Sequence, residues 1–325
     1  MIAITGSTGL LGHHLIERFQ AENVEMIALH RQGKENLLPE SLPKRQADIL
    51  DQVSLREAFE GVDTIIHSAA FVSFNPRWRR KLFDVNVIGT KNVVDTCLQL
   101  GVKNLIHISS VAALGRSPRH VGGIITEENK WNADSTTDYA ETKYLAELEV
   151  YRGAEEGLNV SMVNPSVILS ASQSDRSSAR LFDYVWNEKK YYTTGSLNYV
   201  DARDVAEAVV QLYKKPQHGQ KFILSAGTLP FQEFFVKVAQ RFNKKPPSIK
   251  VSSSLSYWAG LAEEFRAFLI NNEPLVTRQS AKMAIQSCQY SSQKSQDTLG
   301  IRFQTLEQTL EWCCGHYLRN VNPNK

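Results

Sequence analysis

Tyr139 and Lys143 stand four residues apart in the run D-Y-A-E-T-K-Y, residues 138–144. On a helix that spacing puts a phenol and an ammonium one turn apart on a shared face. A free phenol has a pKa of about 10. To exchange a proton readily near neutrality it should be lowered by about three decades of acidity, or about 4 kcal/mol. A neighbouring cation favours the phenolate. The pair therefore reads as a proton donor and its tuner. Upstream, the hydroxyls of Ser109 and Ser110 close a short apolar run. A hydroxyl beside such a pair could hold a reacting oxygen. A third group lies in T-G-S-T-G-L-L-G, where Gly6, Gly9 and Gly12 have G-x-x-G-x-x-G spacing. With Thr8, Leu10 and Leu11 they join an apolar run to a helical pattern. Glycines allow a tight turn and close approach of a pyrophosphate, and the helix start supplies N–H groups and a positive dipole end.

These groups need a frame. Residues Ile2–Thr5, 24–29, 44–47, Thr64–His67, 105–109 and 160–163 read as strands. Residues Leu10–Ala21, 54–60, 78–100 and 139–156 read as helices between them. Regular alternation predicts an α/β fold: a Rossmann-type doubly wound parallel sheet with helices on both faces. Beyond residue 165 the pattern loosens. Residues 170–178 read as a loop, 200–214 and Phe231–Phe242 as helices, and 255–270 as a helix with apolar residues at 258, 261, 265 and 268. The expected division is a dinucleotide-binding domain over 1–165, to which 198–225 return. Residues 166–197 and 226–325 then form a smaller, mostly helical substrate lobe. At about 100° per residue, Tyr144, Leu145, Leu148 and Tyr151 fall on one side of the 139–156 helix, as an apolar stripe. Tyr139 and Lys143 fall roughly opposite, beside Ala146 and Val150. Small residues there would suit close approach of a cofactor.

Composition narrows the function classes. The chain has 325 residues, 42% hydrophobic and 22% charged, so it can bury a large core. A net charge of +3, without a basic stripe, excludes a nucleic-acid footprint. Cys97, Cys288, Cys313 and Cys314 form no C-x-x-C pair and read as reduced thiols. His13 and His14 read as a solvated helix start rather than a zinc site. No run approaches the ~20 apolar residues of a membrane span, and the N-terminus does not resemble a signal peptide. A cytoplasmic protein with no metal, membrane or nucleic-acid partner is the expectation. For a dinucleotide, an acid is expected about 20 residues beyond the first glycines, at the end of the second strand, to hold a ribose 2′-OH. Here the segment is Ala28-Leu29-His30-Arg31. With no acid, and with a planar cation suited to a 2′-phosphate, it favours NADP over NAD.

Together, T-G-x-x-G-x-x-G, the serine at a strand end and Y-x-x-x-K resemble the short-chain dehydrogenase/reductase superfamily. Further segments resemble its extended branch: A-D-I-L-D at 47–51, H-S-A-A at 67–70, N-V-I-G-T at 86–90, N-P-S-V-I at 164–168, Y-V-D-A-R-D-V-A at 199–206 and L-G-I-R-F-Q-T-L-E at 299–307. The pattern looks most like dihydroflavonol-4-reductase and 3β-hydroxysteroid-dehydrogenase relatives. The Arg-containing segment usual in nucleotide-sugar epimerases and dehydratases is absent from Met162-Val163-Asn164-Pro165-Ser166, and Ser170-Ala171 stands where Gly-Pro is usual. The resemblance implies that Ser110, rather than Ser109, is catalytic with Tyr139 and Lys143. It implies that Lys143 also holds the nicotinamide ribose, that Asp48 and Ile49 flank the adenine, and that Ser68, Ala69 and Ala70 line the cofactor. Asn86 would support that turn, and Pro165 and Val167 would face the nicotinamide. The implied activity is NADP-dependent reduction of a carbonyl. Aromatics at Phe71, Phe74, Trp78, Tyr184, Trp186, Tyr191 and Tyr192 would suit an apolar or ring-shaped substrate, though a core uses aromatics too. A nucleotide-sugar epimerase or dehydratase with tightly bound NAD, using candidates such as Arg180 and Arg266, stays open, as does a redox-sensing binding protein. In this superfamily a helix like 139–156 can also build a homodimer interface.

Overall fold

A computed structural model describes residues 1–115, 123–132, 137–171, 179–251 and 288–321. Its first half alternates strand and helix: β1 (Ile2–Thr5), α1 (Leu10–Ala21), β2 (Met26–His30), β3 (Lys44–Gln46), α2 (Gln52–Phe59), β4 (Thr64–His67), α3 (Arg79–Phe83), α4 (Gly89–Leu100), β5 (Asn104–Ile108), β6 (Ile124–Ile125), α5 (Asp138–Glu155) and β7 (Asn159–Pro165). There follow β8 (Val167–Leu169), α6 (Ala179–Trp186), β9 (Tyr191–Tyr192), β10 (Ser196–Asp201), α7 (Ala202–Lys214), β11 (Gln220–Leu224), β12 (Gly227–Pro230), α8 (Phe231–Phe242), β13 (Ile249–Lys250), β14 (Gln289–Tyr290), α9 (Gln293–Leu299) and α10 (Leu306–Val321).

Seven strands form one parallel sheet in the order β3-β2-β1-β4-β5-β7-β11. The order reverses between β1 and β4, which opens a crevice at their carboxyl ends. Both faces are covered, and alternate strand residues feed different layers. Ile4, Ile66, Ile106 and Phe222 pack with Leu15, Phe19, Val205 and Val209 of α1 and α7. Ala3, Ile65, Leu105 and Val160 pack with Leu55, Val93, Val94 and Val150 of α2, α4 and α5. A third apolar cluster surrounds the small sheet β12-β10-β8, with Phe182, Leu197, Phe234, Phe242 and Leu310.

Several sequence expectations are corrected. The helix expected over 200–214 begins at Ala202, because Val200 and Asp201 end β10 and the Asp201 carboxylate caps α7 by accepting from the Arg203 amide. The long helix expected over 78–100 is interrupted by a wider turn at Asp84–Ile88, between α3 and α4. His14 is not solvated: it is buried, its Nε2 is 2.8 Å from Ser170 Oγ, and its ring meets Trp312 edge-on. The helix expected over 255–270, Arg266, and most of the 170–178 loop lie outside the described residues.

The residues of α5 group as expected, but the small-residue face turns to the protein core. The buried face is Ala140, Lys143, Ala146, Glu147, Val150 and Gly153. The Tyr144–Leu148–Tyr151 stripe is half-exposed, with Leu148 44% exposed and Tyr144 stacked on Trp131 at 4.4 Å. The small residues bring α5 close to α4: a Cβ on Gly153 would lie 2.7 Å from Val94 Cγ1. Tyr139 and Lys143 thus share a face whose small residues serve helix packing.

Candidate active site

The glycine turn sits at the sheet's switch point. Gly6 follows β1 with φ +71°, and a Cβ there would lie 2.7 Å from Ala69 N and 2.8 Å from Ser68 C. Only glycine lets these two strand ends approach so closely. At Gly12, inside α1, a Cβ would fall 2.3 Å from the Gly6 carbonyl oxygen, so the helix is seated directly on the turn. Gly9 is exposed and caps α1. The first amides of a helix have no intrahelical acceptors. Leu10, Leu11 and Gly12 provide them here, beside an open glycine surface. That cradle fits a pyrophosphate. Leu11 can contribute only backbone, since its side chain is in the core. Ser7, which sequence reading did not single out, donates to the Ile4 carbonyl and accepts from the Leu29 amide at 3.2 Å, tying the turn to β2.

A buried hydrogen-bond chain runs from this turn to the π-turn between α3 and α4. The Thr5 hydroxyl accepts from the Ser68 and Ala69 amides, both at 3.1 Å. Its own proton is left for His67 Nδ1 at 2.8 Å. His67 Nε2 then donates to Thr90 Oγ1 at 3.0 Å, and Thr90 donates to the Asn86 carbonyl at 2.7 Å. This assigns a neutral imidazole protonated on Nε2. Burial, then the charge of Lys143, pushes the His67 pKa down to about 3. The Asn86 side chain accepts from Phe71 N at 2.8 Å and donates to Phe71 O at 3.0 Å and Thr142 Oγ1 at 3.1 Å. It therefore fixes the chain just after Ser68, Ala69 and Ala70. Wider turns within helices recur at functional sites.

Ser110, Tyr139 and Lys143 converge at the carboxyl end of β5. The Tyr139 phenol receives a hydrogen bond from Ser110. Phe74 meets the Tyr139 ring edge-on at 5.9 Å. Lys143 is 2% exposed, and its Nζ donates to the Ile108 carbonyl at 2.8 Å. Burial lowers the Lys143 pKa to about 8, with Glu147 opposing. The Tyr139 pKa runs against expectation. Burial pushes it up, and the Ser110 hydrogen bond only partly offsets this. The Lys143 ammonium is engaged by a backbone carbonyl, and burial outweighs the lowering that Ser110 provides. His107, the β5 neighbour of His67, is fully buried. Among the described residues neither of its ring nitrogens has a hydrogen-bond partner, and burial holds it neutral.

The remaining expected contacts lie around the same crevice edge. Arg31 is exposed just after β2. Asp48 and Ile49 are half-buried after β3. Asp48 Oδ1 accepts from Leu50 N at 2.9 Å, and Ile49 packs against Gly89. Pro165 is buried at the end of β7, and Val167 is 40% exposed at the start of β8. The aromatics divide. Phe71 and Trp78 pair edge-on with each other, whereas Tyr184, Trp186 and Tyr192 pack in or against the third cluster. Tyr191 is exposed, and so is Arg180.

A doubly wound parallel sheet with a glycine turn at its switch point defines a dinucleotide-binding enzyme fold. The chain belongs to the NAD dependent epimerase/dehydratase family, whose model matches residues 2–226. It is an NAD(P)-dependent oxidoreductase of the extended short-chain dehydrogenase/reductase type. It is 31% identical over 229 residues to sterol demethylase protein B of Methylococcus capsulatus, covering 68% of each chain. It is 24% identical over 318 residues to a putative dihydroflavonol 4-reductase of Synechocystis, covering 94% of this chain and 91% of the relative. Among solved structures, that of gox2253 superimposes with a TM-score of 0.85 at 26% identity and 98% coverage of both chains.

Proposed function

We propose that the chain reduces a ketone or aldehyde to an alcohol with NADPH. The observation that carries this reading is the convergence of Ser110, Tyr139 and a buried Lys143, whose Nζ donates to the Ile108 carbonyl, at the carboxyl end of β5. When bound, the nicotinamide supplies the hydride. Ser110 would orient the substrate oxygen by hydrogen bonding. Tyr139 would give that oxygen its proton as negative charge develops, and the Lys143 cation would stabilise the phenolate left behind. Lys143 would also hold the nicotinamide ribose. The turn Gly6, Thr8, Gly9, Leu10, Leu11 and Gly12 would hold the pyrophosphate, and Asp48 and Ile49 the adenine. Ser68, Ala69, Ala70, Pro165 and Val167 would line the rest, with Asn86 bracing the turn. Arg31, at the position where an acid would mark NAD, supports NADP.

Phe74 beside Tyr139 supports an apolar or ring-shaped substrate. The names of the sterol and flavonoid relatives point the same way. The third apolar cluster, with residues 166–197 and 226–325, would form the substrate lobe. The half-exposed Tyr144–Leu148 face supports a homodimer, and the cytoplasm is the proposed location.

The test is a panel of ketones, aldehydes and nucleotide sugars, run with NADPH and NADH while following nicotinamide absorbance. The reading expects ketone or aldehyde turnover with NADPH preferred, and Arg31→Asp reversing that preference. Protein that purifies with stoichiometric NAD and turns over only nucleotide sugars would replace it with an epimerase or dehydratase.

A further inference from the structure

Glu147 lies one turn beyond Lys143 on the buried face of α5 and is 1% exposed. Its Oε1 accepts from Ser109 Oγ and from Asn164 Nδ2, both at 2.5 Å. The same Asn164 Nδ2 donates to the Ser110 carbonyl at 3.0 Å. One carboxylate oxygen thus gathers both serines at the end of β5, the first through its side chain and the second through Asn164. The other oxygen, Oε2, faces Lys221 of β11 at 3.5 Å. A buried ion pair alone would centre on Lys221, yet the shorter bonds converge on the opposite oxygen.

We infer that Glu147 is a positioning residue for the reaction: it aims Asn164 to hold Ser110 in place, and it is the buried anion that balances the Lys143 ammonium. The inference rests on the roles proposed above for Ser110, Tyr139 and Lys143. The groups acting on this pair are Tyr151 of α5, His67 of β4, His107 of β5 and Lys221 of β11. Both histidines are held neutral by burial. Glu147 is therefore the carboxylate acting on Lys143, in the direction that keeps it protonated. Removing a nearby negative charge lowers the pKa of an ammonium and of a phenol alike. Loss of the Lys143 proton sets the alkaline limb of reduction on this inference, so the limb must move lower.

The experiment measures kcat and KM against pH, with the best carbonyl substrate, for the full chain and two variants. Glu147→Gln retains an acceptor oxygen for Ser109 and Asn164 and loses the charge. It should move the alkaline limb at least one pH unit lower, with a plateau reduced less than tenfold. Asn164→Ala retains the charge and releases the Ser110 carbonyl. It should lower the kcat plateau at least tenfold, with KM for NADPH within threefold and the limb in place. A Glu147→Gln limb at the wild-type position overturns the inference. So does an Asn164→Ala plateau within threefold of wild type, which decides the matter even if Glu147→Gln does not fold. If Tyr139→Phe retains turnover, the catalytic reading itself has failed. An inactive Tyr139→Phe with an unmoved Glu147→Gln limb sinks the positioning role alone.

Discussion

Asn86→Ala isolates what a single side chain does for the cofactor-side turn. Asn86 is 1% exposed and serves the Phe71 amide, the Phe71 carbonyl and the Thr142 hydroxyl. Truncation leaves all three without that partner. A buried polar group left unsatisfied costs about 1–3 kcal/mol. Phe71 is half-buried, so water reaches its groups and the lower figure applies. Three groups at the low end come to about 3 kcal/mol. A chain larger than 150–250 residues falls at or below the about 2 °C per kcal/mol that ends the range for that size, so melting should fall by roughly 4–6 °C. Because Phe71 directly follows Ala70, the loosened turn should also weaken NADPH binding by about tenfold, equivalent to 1.4 kcal/mol. Asn86→Asp keeps the acceptor for the Phe71 amide but sets an oxygen against the Phe71 carbonyl. It should therefore melt no higher than Asn86→Ala. Thermal melts and fluorescence titration with NADPH read both effects. An Asn86→Ala protein within 2 °C of wild type, with unaltered NADPH affinity, would refute the reasoning.

Gly6→Ala should weaken dinucleotide binding at least tenfold, because its Cβ meets the Ala69 backbone at 2.7 Å as well as bearing left-handed strain. Gly101→Ala, with φ +66° and nothing within 4 Å, bears that strain alone, about 1–2 kcal/mol, and should bind normally; equal losses of affinity would contradict the switch-point account. Asp204 is buried, which pushes its pKa up to about 7 from an unfolded value of about 3.9. A raised carboxylate contributes stability that is present below the unfolded value and lost as pH rises through the folded one. Asp204→Asn, which can still accept from the Gln304 amide, should therefore gain stability relative to wild type between pH 5 and pH 8; melting differences that shrink over that range would count against it.

The sheet was largely legible from sequence because its strands are short apolar runs with clear stops. Ile2–Thr5 ends at Gly6, and Thr64–His67 is bounded by polar residues. Where a strand runs straight into a helix, as Val200-Asp201 does, no Gly or Pro marks the join. The available signal was Asp201 as an N-cap with Asp204 three residues on. On α5 the sequence grouped the residues of each face as the structure does, but it assigned the small residues beside Lys143 to a cofactor, whereas they pack against α4. The core side holds Lys143 and Glu147, whose partners lie on β5, β7 and β11. Such partners are invisible to helical periodicity. Glu147 could have been found by extending the i, i+4 spacing one step past Lys143. The Thr5–His67–Thr90 chain joins residues 62 and 23 positions apart, which no local pattern encodes. Motif reading located Ser110, Tyr139 and Lys143 together, but the direction of the Tyr139 shift depended on burial that only the fold supplies.

The central claim is that Tyr139 passes a proton to the substrate oxygen. Tyr139→Phe removes the phenol oxygen while keeping the ring that meets Phe74. The most direct measurement is the single-turnover rate of NADPH oxidation by this variant with a saturating carbonyl substrate, alongside its NADPH affinity. The account predicts a rate lower by roughly 10²–10⁴-fold with affinity retained. A variant that turns over within threefold of wild type would contradict it.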